Sequence, residues 1–117
     1  MTGATGQNAN DGLRALAAQH CRPGAPQLAA DQLRDRLACL PGWTHAGKRI
    51  EKTFHFADYH RTMAFVNAVA TVAHAEDHHP DLAVHYDRCT VAWSTHSAGG
   101  VTLNDCICAA KVEDIGA

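Results

Sequence analysis

The stretch HAEDHHPD, at residues 74–81, contains three histidines and three acidic side chains. Imidazole has an ordinary pKa of about 6.5, so it holds or accepts a proton near neutral pH, and several imidazoles together can do both. His78 and His79 are adjacent at an expected chain turn, and their side chains therefore diverge and could address different atoms of one substrate. This pattern indicates acid–base chemistry, although two other interpretations stay open.

A metal site is the first alternative for these histidines. His74 and His78 are four residues apart, so on a helix they share one face, and metal sites use this spacing. The chain has neither an H-E-x-x-H motif nor a C-x-x-C pair to supply further ligands, and we therefore expect no metal. In the second alternative, His78 and His79 only satisfy the carbonyls left unpaired where a helix ends before Pro80.

His96 is a candidate to join these residues from a distant part of the chain. It ends a predicted strand just before the sequence SAGG, where a loop could present it toward the same site. An ordinary loop histidine is the competing interpretation. If the functional interpretation holds, imidazoles from two separated stretches converge around one pocket.

Hydrophobic periodicity predicts the elements that position these groups. The expected order α-β-β-α-β-β-α is typical of an α+β fold, with a four-stranded antiparallel sheet and three helices on one face. The predicted helices cover residues 31–40, 58–77 and a segment from 102 onward, and the predicted strands cover 43–46, 50–56, 82–86 and 89–95.

Local signals mark where two of the helices begin and where one ends. Asp58 is a predicted N-cap of the long helix, and Pro80 disfavours helical geometry at His79, so the chain should become extended there. Thr102 with Asp105 three positions later resembles a capping box in which aspartate replaces the usual glutamate. The last helix is therefore predicted to begin at this pair.

Length and composition predict one domain and exclude several classes of partner. With 117 residues, of which 46% are hydrophobic, the chain can form one core. We expect a domain at residues 28–117, preceded by a mobile extension at 1–27 in which only 12–20 has helical character. A net charge of −2 gives no reason to expect nucleic acid or an anionic membrane as a partner.

The sequence also predicts the cellular location of the protein and the redox state of its cysteines. No apolar run approaches the roughly 20 residues that span a bilayer, and no secretory signal is apparent at the N-terminus, so we expect a cytoplasmic protein. The five cysteines are odd in number and form no C-x-x-C pair. We expect thiols, buried or without a function, rather than a disulfide framework.

Taken together, these segments resemble the pterin-4a-carbinolamine dehydratase family. The family signature is a polar residue, three positions, His-His-Pro, a spacer, an aromatic residue, nine positions, a histidine and a later aspartate. LPGW at residues 40–43, FHF at 54–56 and STH at 94–96 also look like the family's framework. The residues that match the signature are His74, His78, His79, Pro80, Tyr86, His96 and Asp105.

The resemblance implies an activity and a set of partners. The activity is dehydration of 4a-hydroxytetrahydropterin to quinonoid dihydropterin, a step in recycling the pterin used by aromatic amino acid hydroxylases. It implies no metal or organic cofactor, assembly as a homodimer or homotetramer, and a possible hydroxylase or regulatory protein as partner. A binding module without catalysis and a metal-binding regulator are the competing functions.

The resemblance also assigns roles to residues. It implies that His78, His79 and His96 are catalytic, with His78 and His96 as the proton-transfer pair and His79 orienting the pterin or sharing the transfer. The sequence departs from many members at His74, where they carry glutamate, and at Leu82, where an aromatic residue often stands. The residues implied in substrate binding are His74, Asp77, Ser94, Thr95 and Asp105.

Overall fold

The structure, a computed structural model, describes residues 2–116. Over this range the chain forms four α-helices and one four-stranded antiparallel sheet, which confirms the predicted α+β class. A single 3-10 turn at His96–Ala98 precedes the last helix. In chain order the elements are α1 (Thr2–Ala17), α2 (Ala30–Leu37), β1 (Thr44–Ala46), β2 (Arg49–His55), α3 (Tyr59–Glu76), β3 (Asp81–Val84), β4 (Arg88–Trp93) and α4 (Leu103–Gly116).

The sheet consists of two hairpins joined through their inner strands. Its strand order is β1-β2-β4-β3, with Ile50 opposite Trp93 and Leu82 opposite Val91. Alternation along β2 and β4 places apolar side chains on the face that the helices cover. The opposite face carries polar pairs such as Thr53 and Thr90. The fully buried residues of the covered face are Ile50, Cys89, Val91 and Trp93.

Helix α3 begins and ends where the local signals predict. The Asp58 carboxylate accepts a hydrogen bond of 2.8 Å from the backbone N–H of Arg61, so the predicted N-cap is confirmed. After Glu76 the chain reverses at Asp77, which adopts the left-handed conformation with φ of 50°. Aspartate is one of the few residues other than glycine that accept this geometry. The reversal directs His78 back toward the sheet and α4.

The N-terminal segment differs from the expectation. Helix appears over Thr2–Ala17 rather than only over residues 12–20, and α1 packs against α4 with Leu16 only 1% exposed. Mobility of residues 1–27 stays a prediction about dynamics, but the last turns of α1 pack on the core through Leu13, Leu16 and Ala17. The apolar stripe of α1 is short and lies among Gly, Asn and Gln, so its periodicity is too weak to reveal a packed helix.

Helix α4 is buried along most of its length because α1 and α3 both pack against it. Every residue from Asn104 to Ala110 is buried. Between α1 and α2, residues 18–29 form an irregular segment, which we call the strap. Its far end joins the domain through a backbone hydrogen bond of 2.9 Å from Leu28 N–H to the Val101 carbonyl.

Candidate active site

His78 lies where the end of α3 meets β4 and the start of α4. Its Nε2 atom is 2.6 Å from Oδ1 of Asp105, and its ring stacks on Trp93 with 5.6 Å between centroids and 10° between planes. The His78 side chain is 15% exposed, whereas that of Asp105 is fully buried. One edge of the imidazole is thus bound to a buried carboxylate while part of the ring remains accessible.

The Asp105 carboxylate is held by several donors. Its Oδ2 atom accepts 2.8 Å hydrogen bonds from the Thr95 hydroxyl and from the Thr102 backbone N–H. Because the Thr95 hydrogen is used in this way, the Thr102 hydroxyl is the donor in its 2.9 Å bond to Thr95. The predicted capping contact between Thr102 and Asp105 is therefore present. Asp105 caps α4 with one oxygen and holds His78 with the other.

This arrangement determines which nitrogen of His78 is available for chemistry. A carboxylate surrounded by donors acts as an acceptor, so it favours a proton on Nε2 of His78. Nδ1 is then a base when the ring is neutral and an acid when the ring is protonated. The stacking on Trp93 restricts rotation of the ring. His78 therefore has the fixed orientation that proton transfer requires.

A cavity of about 310 Å³ opens at His78. This volume falls in the range of small-molecule sites. Asp77 and Thr95 line the cavity beside His78, so the structure brings together four of the predicted residues: three at the cavity and Asp105 directly behind them.

His96 and Ser94 line a different cavity, of about 470 Å³. Thr95 and Ser97 line the His78 cavity, so residues along this short segment alternate between the two. His96 itself is exposed in the 3-10 turn. His78 and His96 therefore line separate cavities, whereas the sequence predicts that they converge on one.

His74 and His79 lie on the surface beside His78. Both are exposed, and their rings meet edge to face with 6.5 Å between centroids. His74 is in the last turn of α3, and His79 follows His78 on the way to β3. Neither ring has the buried carboxylate partner that His78 has.

The strap forms a wall of the His78 cavity, and no sequence motif predicts this wall. Cys21, Arg22 and Gly24 line the cavity. Asn104 holds Arg22 at both backbone groups, by accepting from its N–H at 3.0 Å and donating to its carbonyl at 2.8 Å. These contacts join residues more than 80 positions apart, and no local spacing reveals them.

Glu76 anchors the same wall from the end of α3. Its carboxylate accepts 2.7 Å from the Cys21 backbone N–H and lies 2.9 Å from Nδ1 of His20, with Lys111 at 3.7 Å. Burial alone would raise the pKa of Glu76, but the hydrogen bonds from Cys21 and His20 and the charge of Lys111 outweigh it and lower the pKa. Glu76 thus binds the strap as a carboxylate.

Within residues 2–116, no group of three or more His, Cys, Asp or Glu side chains is arranged to hold a metal ion. None of the helices in that range has both the length and the apolar character needed to cross a bilayer.

Fold and site define an α+β protein with a carboxylate-bound histidine at a small-molecule cavity. The model of the family described as pterin 4 alpha carbinolamine dehydratase matches residues 26–115. Since this match covers most of the chain, the protein belongs to the pterin 4 alpha carbinolamine dehydratase family.

Individual relatives agree with this assignment. A Chromobacterium violaceum protein, provisionally named pterin-4-alpha-carbinolamine dehydratase, is 55% identical over 95 residues, which are 80% of this chain and 88% of that protein. A Nitrosospira multiformis protein with the same provisional name is 48% identical over 103 residues, covering 86% of this chain and 91% of the relative.

Solved structures show the same fold. The crystal structure of a transcriptional coactivator/pterin dehydratase from Brucella melitensis superposes with a TM-score of 0.75 at 31% identity, covering 78% of this chain and 99% of the other. A pterin dehydratase-like protein identified as a RuBisCO assembly factor in the alpha-carboxysome has a TM-score of 0.53 at 20% identity, covering 63% of this chain and 86% of that one. The second likeness concerns the fold alone.

Proposed function

We propose that the protein dehydrates 4a-hydroxytetrahydropterin to quinonoid dihydropterin and water, with His78 as the principal proton-transfer group. Family membership supports the reaction class. The observation that carries the role of His78 is its 2.6 Å bond to the buried Asp105 at the edge of the cavity. No metal or organic cofactor is part of the proposal.

The chemistry needs one proton delivered and one removed. The hydroxyl at C4a leaves poorly as hydroxide, and an imidazolium that protonates it releases water instead. A neutral imidazole accepts the proton lost from the ring nitrogen system. Such acid and base catalysis contributes about 10² to 10⁴ in rate. His78 offers Nδ1 for one of these transfers because Asp105 occupies Nε2.

A second imidazole serves the other transfer, and His79 and His96 are the candidates. His79 is next to His78 in the chain, whereas His96 lines the neighbouring cavity. The family resemblance supports His96 as the partner of His78, and His79 as the residue that orients the pterin or shares the transfer. A substrate that reaches both His78 and His96 would bridge the two cavities along the segment 94–97, which lines both. Asp77 and Thr95 offer a carboxylate and a hydroxyl to the amide-like edge of the ring.

The test is the decay of enzymatically generated 4a-carbinolamine, followed with and without the purified protein. We expect the wild type to accelerate decay, His78→Ala to lose about 100-fold or more, and His96→Ala to lose at least tenfold. His60→Ala is the matched control, because His60 is exposed near the start of α3 and should leave the rate unchanged. An inactive wild type would overturn the function, and an active His78→Ala would overturn the assigned role.

The cellular setting is part of the proposal. We place the protein in the cytoplasm, where it recycles the pterin of aromatic amino acid hydroxylases, with a hydroxylase or a regulatory protein as a possible partner. We propose self-association as a homodimer or homotetramer, since β1 and β3 are edge strands whose outer backbone groups can pair with another chain. Light scattering coupled to size exclusion tests this, and a monomer at working concentration would contradict it.

A binding role is the second candidate function. It is favoured by the Brucella melitensis structure, whose description combines transcriptional coactivator with pterin dehydratase. A pull-down with the wild type and with His78→Ala separates the two functions. A stable partner bound equally by both proteins, together with no effect on carbinolamine decay, would replace catalysis by binding.

A further inference from the structure

Cys21 and Cys108 form a thiol pair that the cysteine spacing does not reveal. Their Sγ atoms are 3.5 Å apart although the residues are 87 positions apart in the chain. Cys108 is fully buried in α4, whereas Cys21 is partly exposed and lines the His78 cavity. A disulfide bond is about 2 Å long, so the two sulfurs need to approach by only about 1.5 Å.

The strap can supply this movement without disturbing the core. Cavities lie on both of its sides, since Arg22, Pro23 and Gly24 line the His78 cavity and also a neighbouring one of about 360 Å³. Gly24 adopts a φ of 75°, a conformation that glycine accepts without strain. Open space therefore adjoins the strap next to Cys21, so that Cys21 can move with the strap, whereas Cys108 is fully buried in α4.

We infer that Cys21 and Cys108 are a modification site at which hydrogen peroxide forms a reversible disulfide, fixing the strap to α4. The Cys21 sulfur attacks the peroxide, the O–O bond breaks, and one water leaves as Cys21 becomes a sulfenic acid. The Cys108 sulfur then attacks the Cys21 sulfur, the S–O bond breaks, and the second water carries away the Cys108 proton. Two thiols lose two electrons, and the peroxide gains them.

The environments of the two thiols give the order of these steps. Cys21 is open to the cavity and meets the oxidant first. The hydrogen bond with Cys21 and the burial of the side chain both raise the pKa of Cys108, so Cys108 is a poor first nucleophile toward the peroxide. Cys108 is thus the resolving cysteine, and a dithiol reductant restores the pair.

The disulfide would fix one wall of the candidate active site. Cys21 and Arg22 are held to α3 and α4 through the hydrogen bonds to Glu76 and Asn104. A covalent bond to Cys108 adds a third attachment at the same place, so the strap should open less often. This inference does not depend on the proposed dehydratase reaction, because both of its tests measure the thiols and the backbone.

The first test is hydrogen peroxide treatment followed by intact mass and peptide mapping. We expect the wild type to lose the mass of two hydrogens through a link between Cys21 and Cys108, and Cys39→Ser to behave identically because Cys39 is another partly exposed cysteine outside the pair. Cys108→Ala should instead gain oxygen at Cys21, and Cys21→Ser should do neither. Persistence of both thiols in the wild type under excess peroxide, or a link that avoids this pair, would overturn the inference.

The second test measures the attachment of the strap by hydrogen exchange. The amides of Cys21 and Arg22 donate to Glu76 and Asn104, so they report on opening of the strap. We expect their exchange to slow by about tenfold on oxidation of the wild type and to be unchanged in Cys21→Ser. If peptide mapping finds the disulfide but the amide exchange of Cys21 and Arg22 is unchanged, the disulfide does not fix the strap and this part of the inference is refuted.

Discussion

The end of α3 and the turn after β4 both present a histidine beside a cavity, but the two are held in different ways. His78 is bonded to a buried carboxylate and stacked on an indole, with only 15% of its side chain exposed. His96 stands exposed in a short 3-10 turn that ends at Gly99. The surrounding hydrogen-bond network, rather than the residue type, thus determines which imidazole has a fixed orientation.

The largest effect should come from removing the charge that holds His78. In Asp105→Asn, an amide replaces the carboxylate. The amide NH₂ group then faces at least one of the donors that now bond to the carboxylate, and His78 loses a charged acceptor. We expect carbinolamine dehydration to fall by about 100-fold and the free energy of unfolding to fall by about 1–3 kcal/mol. Steady-state kinetics and urea unfolding measure the two effects.

Asp77→Asn is the control for Asp105→Asn. Asparagine also accepts the left-handed conformation of residue 77, so this variant removes a cavity charge and preserves the helix end. We expect a change in KM of less than about tenfold, with kcat nearly unchanged. Equal losses in the two variants would show that general cavity charge, and not the hold on His78, governs the rate.

Stability should separate the two histidines even without an activity measurement. His78→Ala leaves the buried Asp105 oxygen without its partner and removes the stack on Trp93, so we expect a loss of about 2–3 kcal/mol in free energy of unfolding. His96→Ala, at an exposed position, should change it by less than about 0.5 kcal/mol. Chemical denaturation of both variants checks this, and equal losses of stability would show that His78 is held no more firmly than His96.

A smaller effect is expected at the hydroxyl that supports Asp105. Thr95→Val keeps the shape of the side chain and removes its bonds to Asp105 and Thr102, which should cost about 1–2 kcal/mol in free energy of unfolding. The matched control is Thr53→Val, since Thr53 makes a 2.7 Å hydroxyl bond on the exposed face of the sheet and should cost less than about 0.5 kcal/mol. A larger loss of stability in Thr53→Val than in Thr95→Val would contradict the stabilising role of the hydrogen bonds around Asp105.

The smallest effect is a pH dependence at the strap. The pKa of Glu76 is lowered in the folded protein, so its contribution to stability is complete above the unfolded value, near 4.5, and is lost as the pH falls through the folded value. Glu76→Gln should lower the free energy of unfolding at pH 7 by about 0.5–1 kcal/mol and should lose part of this acid dependence. Unfolding curves from pH 3 to 7 provide the measurement, and identical acid slopes would contradict it.

Much of the fold could be predicted because its signals are local. The caps at Asp58 and Thr102, and the apolar alternation in the strands, depend on neighbours within a few residues. The full extent of α1 and its packing could not be predicted for the opposite reason, since only residues 12–20 have helical character in the sequence and the contact of α1 with α4 is long-range. A contact between helices at opposite ends of a chain cannot be predicted from the local spacing of residues in one sequence.

The same distinction between local signals and long-range contacts applies to the candidate active site. The cluster at residues 74–81 and the aspartate at 105 could be identified from their types and spacing, and the structure brings His78 and Asp105 together. The bond itself could not be predicted, because it depends on the reversal at Asp77 and on the angle between α3 and α4. The cavity wall at Cys21 and Arg22 was missed because it lies in the segment that the family resemblance does not reach.

The alternation of residues 94–97 between two cavities has a consequence for how this protein could change. Thr95 and Ser97 belong to one cavity, and Ser94 and His96 belong to the other. A single residue deleted ahead of them would exchange the two sets and would bring the His96 imidazole to the place where the Thr95 hydroxyl now supports the Asp105 carboxylate. Such a one-residue change would alter the acid–base groups of both cavities while leaving the surrounding helices and strands in place.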